Sequence, residues 1–297
     1  MKSSYFLFFV FSFFYSFSNA QEVSGNLQRW HKLILFFDGV DSSEKASKNP
    51  FSDYNLTVTF TNHGKSYEVP GYYAGCVNAA DSGCESGDKW AVNFTPDALG
   101  TWTWKASYKT GNDVAINGGG SSAGYMDGYT GSINIKESDK SGRDNRSPNK
   151  GMLKYVGQHY LKYVGKSRGN PNGPWFVKAG SDSPENALAY DDFDATPNRK
   201  NLRKSWSPHQ VDYNASDASK YTWSGDKGTE LLGVINYLAG KGLNAMSFLT
   251  FSLGGDDQNV FPHLLKVNEN VYNNYKASEQ WDNGVYKDRF DLSKLAQ

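Results

Sequence analysis

The chain has 297 residues with Lys plus Arg and Asp plus Glu equal at 31 each, so no strong net field steers it toward nucleic acid or an anionic membrane surface. Aromatic residues make up 15% of it, spread through polar context, a composition that suits β structure and fits either sugar binding or a ligand-free β-sandwich. The sequence has no phosphate loop, no Gly-x-Ser-x-Gly elbow, no His-Glu-x-x-His and no zinc-spaced Cys and His set, so neither a cofactor nor a metal is expected.

The first residues read as a cleavable signal peptide, 1–20. Lys2 supplies a positive start, Tyr5 to Phe17 is nearly all apolar, and Ser18-Asn19-Ala20 ends the run with small residues, which predicts cleavage before Gln21. The apolar run is shorter than the roughly 20 residues needed to span a bilayer. No later segment is long and apolar enough to span, so the mature chain is expected to be secreted, extracellular and free of a membrane span.

From Leu27 to about Ile135 the pattern predicts all-β structure, with strands over Leu27 to Phe37, Tyr54 to Phe60, Lys89 to Phe94, Thr101 to Tyr108 and Tyr129 to Ile135. Alternation in Tyr54 to Phe60 and in Thr101 to Tyr108 has period two, the mark of strands with one buried face. Leu56, Val58, Trp102 and Trp104 are therefore expected in the core of a sandwich domain, 21–137. Gly118-Gly119-Gly120-Ser121-Ser122 reads as a flexible loop within it. Cys76 and Cys84, eight residues apart among Gly, Ser, Asp and Asn, predict a disulfide closing a small surface loop, because a metal site would need more soft ligands than this segment holds. Asn55, Asn93, Asn145 and Asn214 each begin an Asn-x-Ser/Thr sequon, the acceptor for N-glycosylation.

A polar stretch, 138–150, has the composition of an interdomain linker. After it, Lys154 to Val164 reads as a hairpin, Trp175 to Gly180 as a strand, Thr229 to Lys241 as a helix with Leu231, Val234, Ile235 and Leu238 on one face, and Ala245 to Leu253 as a second strand. Strand, helix, strand in that order predicts a parallel pair. The connection from Ser181 to Gly228 far exceeds the roughly 2 to 6 residues usual in such units, and it follows the carboxyl end of a strand, the face on which α/β barrels build their sites. Asp291 is placed to cap a further helix.

Several ordered strings carry a resemblance. Trp30-His31-Lys32, Asn49-Pro50-Phe51-Ser52-Asp53-Tyr54, Tyr67 to Tyr73, Lys89-Trp90, Phe94-Thr95-Pro96 and Gly100-Thr101-Trp102 resemble the Ig-like domain of unknown function that precedes glycoside-hydrolase-like TIM barrels in secreted, mostly bacterial proteins. Lys178 to Asn186, Tyr190 to Asp194, Leu243 to Phe248 and Gly254-Gly255-Asp256 are similar to the opening of those barrels. The resemblance implies a multidomain chain: an all-β Ig-like sandwich followed by the N-terminal part of an α/β (β/α)8 barrel, 151–297, with the barrel incomplete against the roughly 250 residues such a fold needs. It implies a secreted carbohydrate-active protein acting on a polysaccharide or glycan, with the catalytic carboxylates expected beyond Gln297; the alternative is a non-catalytic glycan- or matrix-binding protein. The residues set no oligomeric state.

Glycoside hydrolysis needs two carboxyl groups facing each other across the bond. Asp182 and Glu185 with Asn186, then Asp191 and Asp194, then Asp256 follow the predicted strand ends and are candidate substrate contacts, although each also suits ordinary loop chemistry. Asp191, Asp192 and Asp194 offer hard oxygen ligands but lack the Gly and Glu of an EF-hand. His209 and Trp223 bring hydrogen-bonding and stacking groups to the long connection, where they either meet sugar or pin the loop.

Overall fold

Period-two burial builds the larger part of the molecule. The computed structural model describes residues 21–142, 144, 150–165, 173–182, 184–194, 196, 203–218, 221–251, 262–265 and 285–297; the segment read as a signal peptide lies outside them. Strands β1 (Gln21–Gly25), β2 (Leu33–Ser43), β3 (Tyr54–Asn62), β4 (Lys65–Gly75), β5 (Ser86–Phe94), β6 (Gly100–Thr110), β7 (Ser121–Ser122) and β8 (Thr130–Ile135) pair in the order β1-β2-β5-β4-β3-β6-β7, with β8 also on β6. All of these pairings are antiparallel. Two four-residue helices lie in the connections, α1 (Ala79–Ser82) and α2 (Val114–Asn117).

The strands form two layers, β1-β2-β5 and β3-β6 with β7 and β8, and the strand β4 belongs to both. Its first half, Lys65 to Pro70, pairs with β3, and its second half, Gly71 to Gly75, pairs with β5. Pro70 and Gly71 hid this strand from the sequence pattern, since neither favours a ladder interior. Here they mark the place where the strand leaves one neighbour for the other. The first predicted strand also begins late, at Leu33: Trp30 turns the chain with φ at 66°, and its amide donates to the Pro96 carbonyl at 2.8 Å. Ser121 and Ser122, expected in a loop, pair with β6.

Inward-facing residues of the two layers fuse into one core. Leu56, Val58, Trp102 and Trp104 are buried as their alternation predicts. Trp90 is at the centre, with ring centroids 5.5 Å from Tyr54, 5.2 Å from Tyr73 and 4.9 Å from Tyr108. Phe60 and Phe94 stack at 3.9 Å, and Trp102 meets the Phe94 ring edge-on at 5.0 Å. Trp90, Trp102 and Tyr73 have their polar tips satisfied by backbone carbonyls, as burial favours. Trp90 Nε1 donates to the Val40 carbonyl at 3.2 Å, Trp102 Nε1 to Ala98 at 3.0 Å, and the Tyr73 hydroxyl to Ser42 and Gly87. Cys76 and Cys84 form the expected disulfide, which brackets α1.

Regular structure is sparser in the second half. β9 (Leu153–Lys154) and β10 (Leu161–Tyr163) make the predicted hairpin, extended by β11 (Trp175–Phe176). The predicted strand Trp175 to Gly180 divides in two, because β12 (Gly180–Ser181) turns instead to β13 (Ala245–Met246) and pairs with it in parallel. β13 ends at Met246 rather than continuing to Leu253. Between β12 and β13 run α3 (Ala215–Ala218) and α4 (Thr229–Gly240), so the strand, helix, strand unit is present. Ile235, expected on the buried face of α4, is 51% exposed, because the helix packs through Gly233 and Val234 against the 3-10 turn Ser207–Asp212 instead. β14 (His263–Leu265) and β15 (Val285–Phe290) pair antiparallel before α5 (Leu292–Ala296). Among the described residues, parallel ladder pairing beyond β12–β13 does not continue around a barrel, and no helix is long and apolar enough to cross a membrane.

The C-terminal segment returns to the sandwich. Asp291 caps α5 as predicted, its side chain accepting from the Lys294 amide at 2.8 Å. Phe290 meets Phe51 edge-on at 5.1 Å, Asn49 Nδ2 donates to the Asp288 carboxylate at 2.9 Å, and Leu292 enters the sandwich core. Gly75, at φ 66°, makes room for it: a Cβ there would stand 2.5 Å from Leu292 Cδ1.

Candidate functional site

The carboxyl ends of β12 and β13 gather one group of polar side chains. The two strands approach so closely that a Cβ on Gly180 would lie 1.7 Å from the Ala245 carbonyl oxygen, which only glycine allows. Asn244 clamps the pair, accepting from the Ala179 amide at 2.8 Å and donating to the Val177 carbonyl at 2.9 Å. Beyond the strands, the Lys178 ammonium donates to Asp182 and, at 2.8 Å, to Ser247 Oγ. The hydrogen bond from Lys178 holds the Asp182 carboxyl below the usual carboxylate range. Asp182 is exposed and ionised, so it suits accepting hydrogen bonds from sugar hydroxyls and cannot act as a proton donor at neutral pH. Glu185 is exposed in the next turn, where its carbonyl accepts from the Leu249 amide at 2.8 Å, while Asn186 is 2% exposed. Lys178 and Ser247 complete this group. Neither stands out in sequence, because their proximity depends on the parallel pairing.

A second group surrounds the start of α4. Asp192 accepts from the Tyr190 hydroxyl and from the Gly228 amide at 2.8 Å. Burial and the Asp192 charge raise the Tyr190 phenol, which stays neutral. Asp194 receives Lys227 Nζ at 3.3 Å, and its amide donates to Gln297 Oε1 at 2.9 Å. Trp223 is 5% exposed and stacks on Phe193 with centroids 5.3 Å apart. Asp191 is exposed, and its amide donates to the Lys204 carbonyl at 2.9 Å. His209 lies on the 3-10 turn with Nδ1 3.1 Å from Asp212 and its ring 4.8 Å from Tyr237. Asp256 and Asn145 lie outside the described residues. Among the described residues, no cluster of His, Cys, Asp or Glu is arranged to hold a metal ion.

These contacts make Asp192 an anchor for α4. Removing its carboxylate in Asp192→Ala strands the Tyr190 hydroxyl and the Gly228 amide, and a buried unpaired polar group costs about 1–3 kcal/mol. Thermal melting of Asp192→Ala is therefore expected to fall clearly below wild type. An unchanged melting temperature would show that the loop is held by other contacts.

A third candidate lies on the outer face of the sandwich. Register places Thr59, Lys105 and Thr130 in one row across β3, β6 and β8, and Thr61, Thr103 and Ser132 in the next. These six residues, with Trp104 and Gly131, line an open depression of about 630 Å³. Hydroxyls at strand spacing, roughly 4.8 Å apart, offer alternating donors and acceptors to a polyhydroxylated ligand. Asn55 is on β3 near this face and accepts from Thr57 Oγ1 at 3.5 Å, Asn93 is exposed on β5, and Asn214 is exposed before α3.

Residues 26–109 match the family model for a domain of unknown function, DUF5060. That segment covers β2 to β5 and most of β6. A search of curated proteins finds no match. A crystal structure described as a "putative glycoside hydrolase" from Bacteroides vulgatus ATCC 8482 is similar at 16% identity with a TM-score of 0.46, over 91% of this chain and 37% of that one. The chain thus spans little more than a third of the length of that protein.

Proposed function

We propose that the chain is an exported carbohydrate-active protein, an Ig-like sandwich followed by the N-terminal portion of a glycoside-hydrolase-like (β/α)8 barrel, and that its residues at the β12 and β13 ends bind polysaccharide. One observation carries this reading: Asp182 and Ser247, the residues that follow β12 and β13, are joined by the Lys178 ammonium, which reaches them from just before β12, at the carboxyl ends of two parallel strands joined through a helix, the face on which α/β folds place their ligands. The chemistry there is hydroxyl recognition. Bond cleavage requires a carboxyl able to donate a proton, and Asp182 beside Lys178 is held ionised, so Asp182 positions the sugar in this reading.

The test uses the chain recovered from the medium of a secreting host and passed over a panel of immobilised polysaccharides. Retention on at least one polysaccharide, weakened about tenfold or more in Lys178→Ala and Asp182→Ala, is the expected result, corresponding to loss of a charge-assisted hydrogen bond. Retention that both variants keep in full would sink the assignment of this site.

A second reading is favoured by the threonine and serine rows of the sandwich. In it the protein is a non-catalytic glycan binder, and β3, β6 and β8 supply the contact face. Thr61→Arg with Thr103→Arg would then abolish retention while Asp182→Ala left it intact, the reverse of the first pattern.

A further inference from the structure

Glu44 is a buried carboxyl with a helix seated on it. It follows β2, is 3% exposed, and its Oε1 accepts from the Leu292 amide at 2.6 Å, at the first turn of α5. Asp291, 7% exposed, stands beside it, and its Oδ1 is already taken by Ser293 Oγ at 2.7 Å and the Lys294 amide at 2.8 Å. On the sandwich side, Glu44 shares a small cleft of about 180 Å³ with Ser43, Lys45, Glu85 and Ser86, and its own amide donates to the Glu85 carbonyl at 3.0 Å. The seat is broad: Asn49 holds Asp288, Arg289 donates to the Ala46 carbonyl at 3.1 Å, and Gln297 Nε2 donates to the Ala80 carbonyl at 3.4 Å.

We propose that Glu44 makes the seating of residues 288–297 on the sandwich a protonation-sensitive latch, tight while the Glu44 carboxyl is neutral and loosened when it ionises against Asp291 in a dry contact. Every charged group around it bears on the balance. Asp291 and Glu85 oppose a negative charge on Glu44, and Lys45 favours one. The Leu292 amide also favours the charge. Lys294, 7% exposed, packs on the α5 side with Asp291 and Asp194 near it, and Asp288 is tied to Arg289 at 3.0 Å. Tyr73 stays neutral, its phenol raised by burial first and then by Asp41, Glu44 and Asp88.

Burial outweighs the amide and lifts the Glu44 carboxyl from 4.5 to about 7. The sign follows from linkage. The seated state holds the Glu44 proton and the released state loses it above 4.5, so seating is strongest below 4.5 and weakens as pH rises to about 7. Lys294 acts in a different window. Burial lowers it from 10.5 to about 8, so its cost to seating grows as pH falls from 10.5 to about 8 and is constant below that. Acidic to neutral pH therefore reports Glu44.

Hydrogen exchange of the full chain between about pH 5 and about pH 8, corrected for intrinsic rates, tests the latch. The Leu292 and Lys294 amides are expected to lose on the order of 100-fold in protection across that range, the tenfold per pH unit that one linked proton allows. Amides of Leu56 and Val58 in β3 should keep theirs, and Glu44→Gln, which retains the acceptor for Leu292, should remove the dependence. Flat protection in wild type, an equal loss in β3, or the same pH dependence in Glu44→Gln would overturn the proposal. If Glu44→Gln does not fold, Asp291→Asn serves: it keeps the cap, removes the opposing charge and must move the midpoint to lower pH, and an unmoved midpoint overturns the latch equally.

Discussion

Trp90→Ala is expected to destabilise the sandwich by about 3–5 kcal/mol, the range for removing a large aromatic from a packed core. Trp90 is 1% exposed, so its whole ring area is withdrawn from water on folding. Its loss leaves a cavity between Tyr54, Tyr73 and Tyr108; the Tyr73 hydroxyl is held by the Gly87 carbonyl, and Tyr54 and Tyr108 stack on each other on the paired strands β3 and β6, so the site collapses little to fill it. Deleting the indole also orphans the Val40 carbonyl at a bend of β2. Chemical denaturation followed by far-ultraviolet circular dichroism measures the effect. A loss below about 1 kcal/mol would mean that the two layers close over the gap, contrary to the interior packing described here.

Opening the Cys76–Cys84 disulfide, by Cys76→Ser with Cys84→Ser or by reductant, is expected to cost about 2.5 kcal/mol, the loop-closure entropy of a ring this short. The effect reaches past the loop. The bridge brackets α1, and α1 packs against α5, while Gln297 bonds the Ala80 carbonyl in α1. Loss of the bridge should therefore lower protection of α5 amides as well as global stability. Hydrogen exchange read alongside denaturation separates the two. Global loss with α5 untouched would show that α1 holds its place without the bridge.

Much of the sandwich was legible because strand alternation is local. Leu56, Val58, Trp102 and Trp104 declare their inward side within a few residues, and the disulfide followed from two cysteines and a small loop. β4 was illegible because Pro70 and Gly71 argue against a strand in any local window, yet they suit a strand that changes partners. In the second half the helix α4 and the cap at Asp291 were readable from periodicity and capping chemistry. The division of the strand at Trp175 was not, since β11 and β12 choose different partners by tertiary contact.

The candidate site divides along the same line. Asp182 was singled out from its position after a strand, but Lys178 and Ser247, which set its charge state and its neighbours, come together only through the parallel pair. Asp192 and Asp194 read in sequence as candidate oxygen ligands, whereas in the fold the Asp192 carboxylate ties down the start of α4 and the Asp194 amide holds Gln297. Glu44 carries no local signal in the sequence. Its significance depends on Leu292, 248 positions away, and no local pattern encodes that meeting. The Asn49 to Asp53 string also acquires a reason: Asn49 and Phe51 receive Asp288 and Phe290.

The strand shared by both layers has a mechanical consequence. In a sandwich whose layers touch only through side chains, tension applied to one layer can slide it across the other, and the oily contact yields. Here a continuous peptide backbone crosses from β3 to β5 within β4, so shear between the layers loads covalent bonds and two hydrogen-bonded ladders together. Under such load the domain would give way first at its outlying strands, with the two layers parting last.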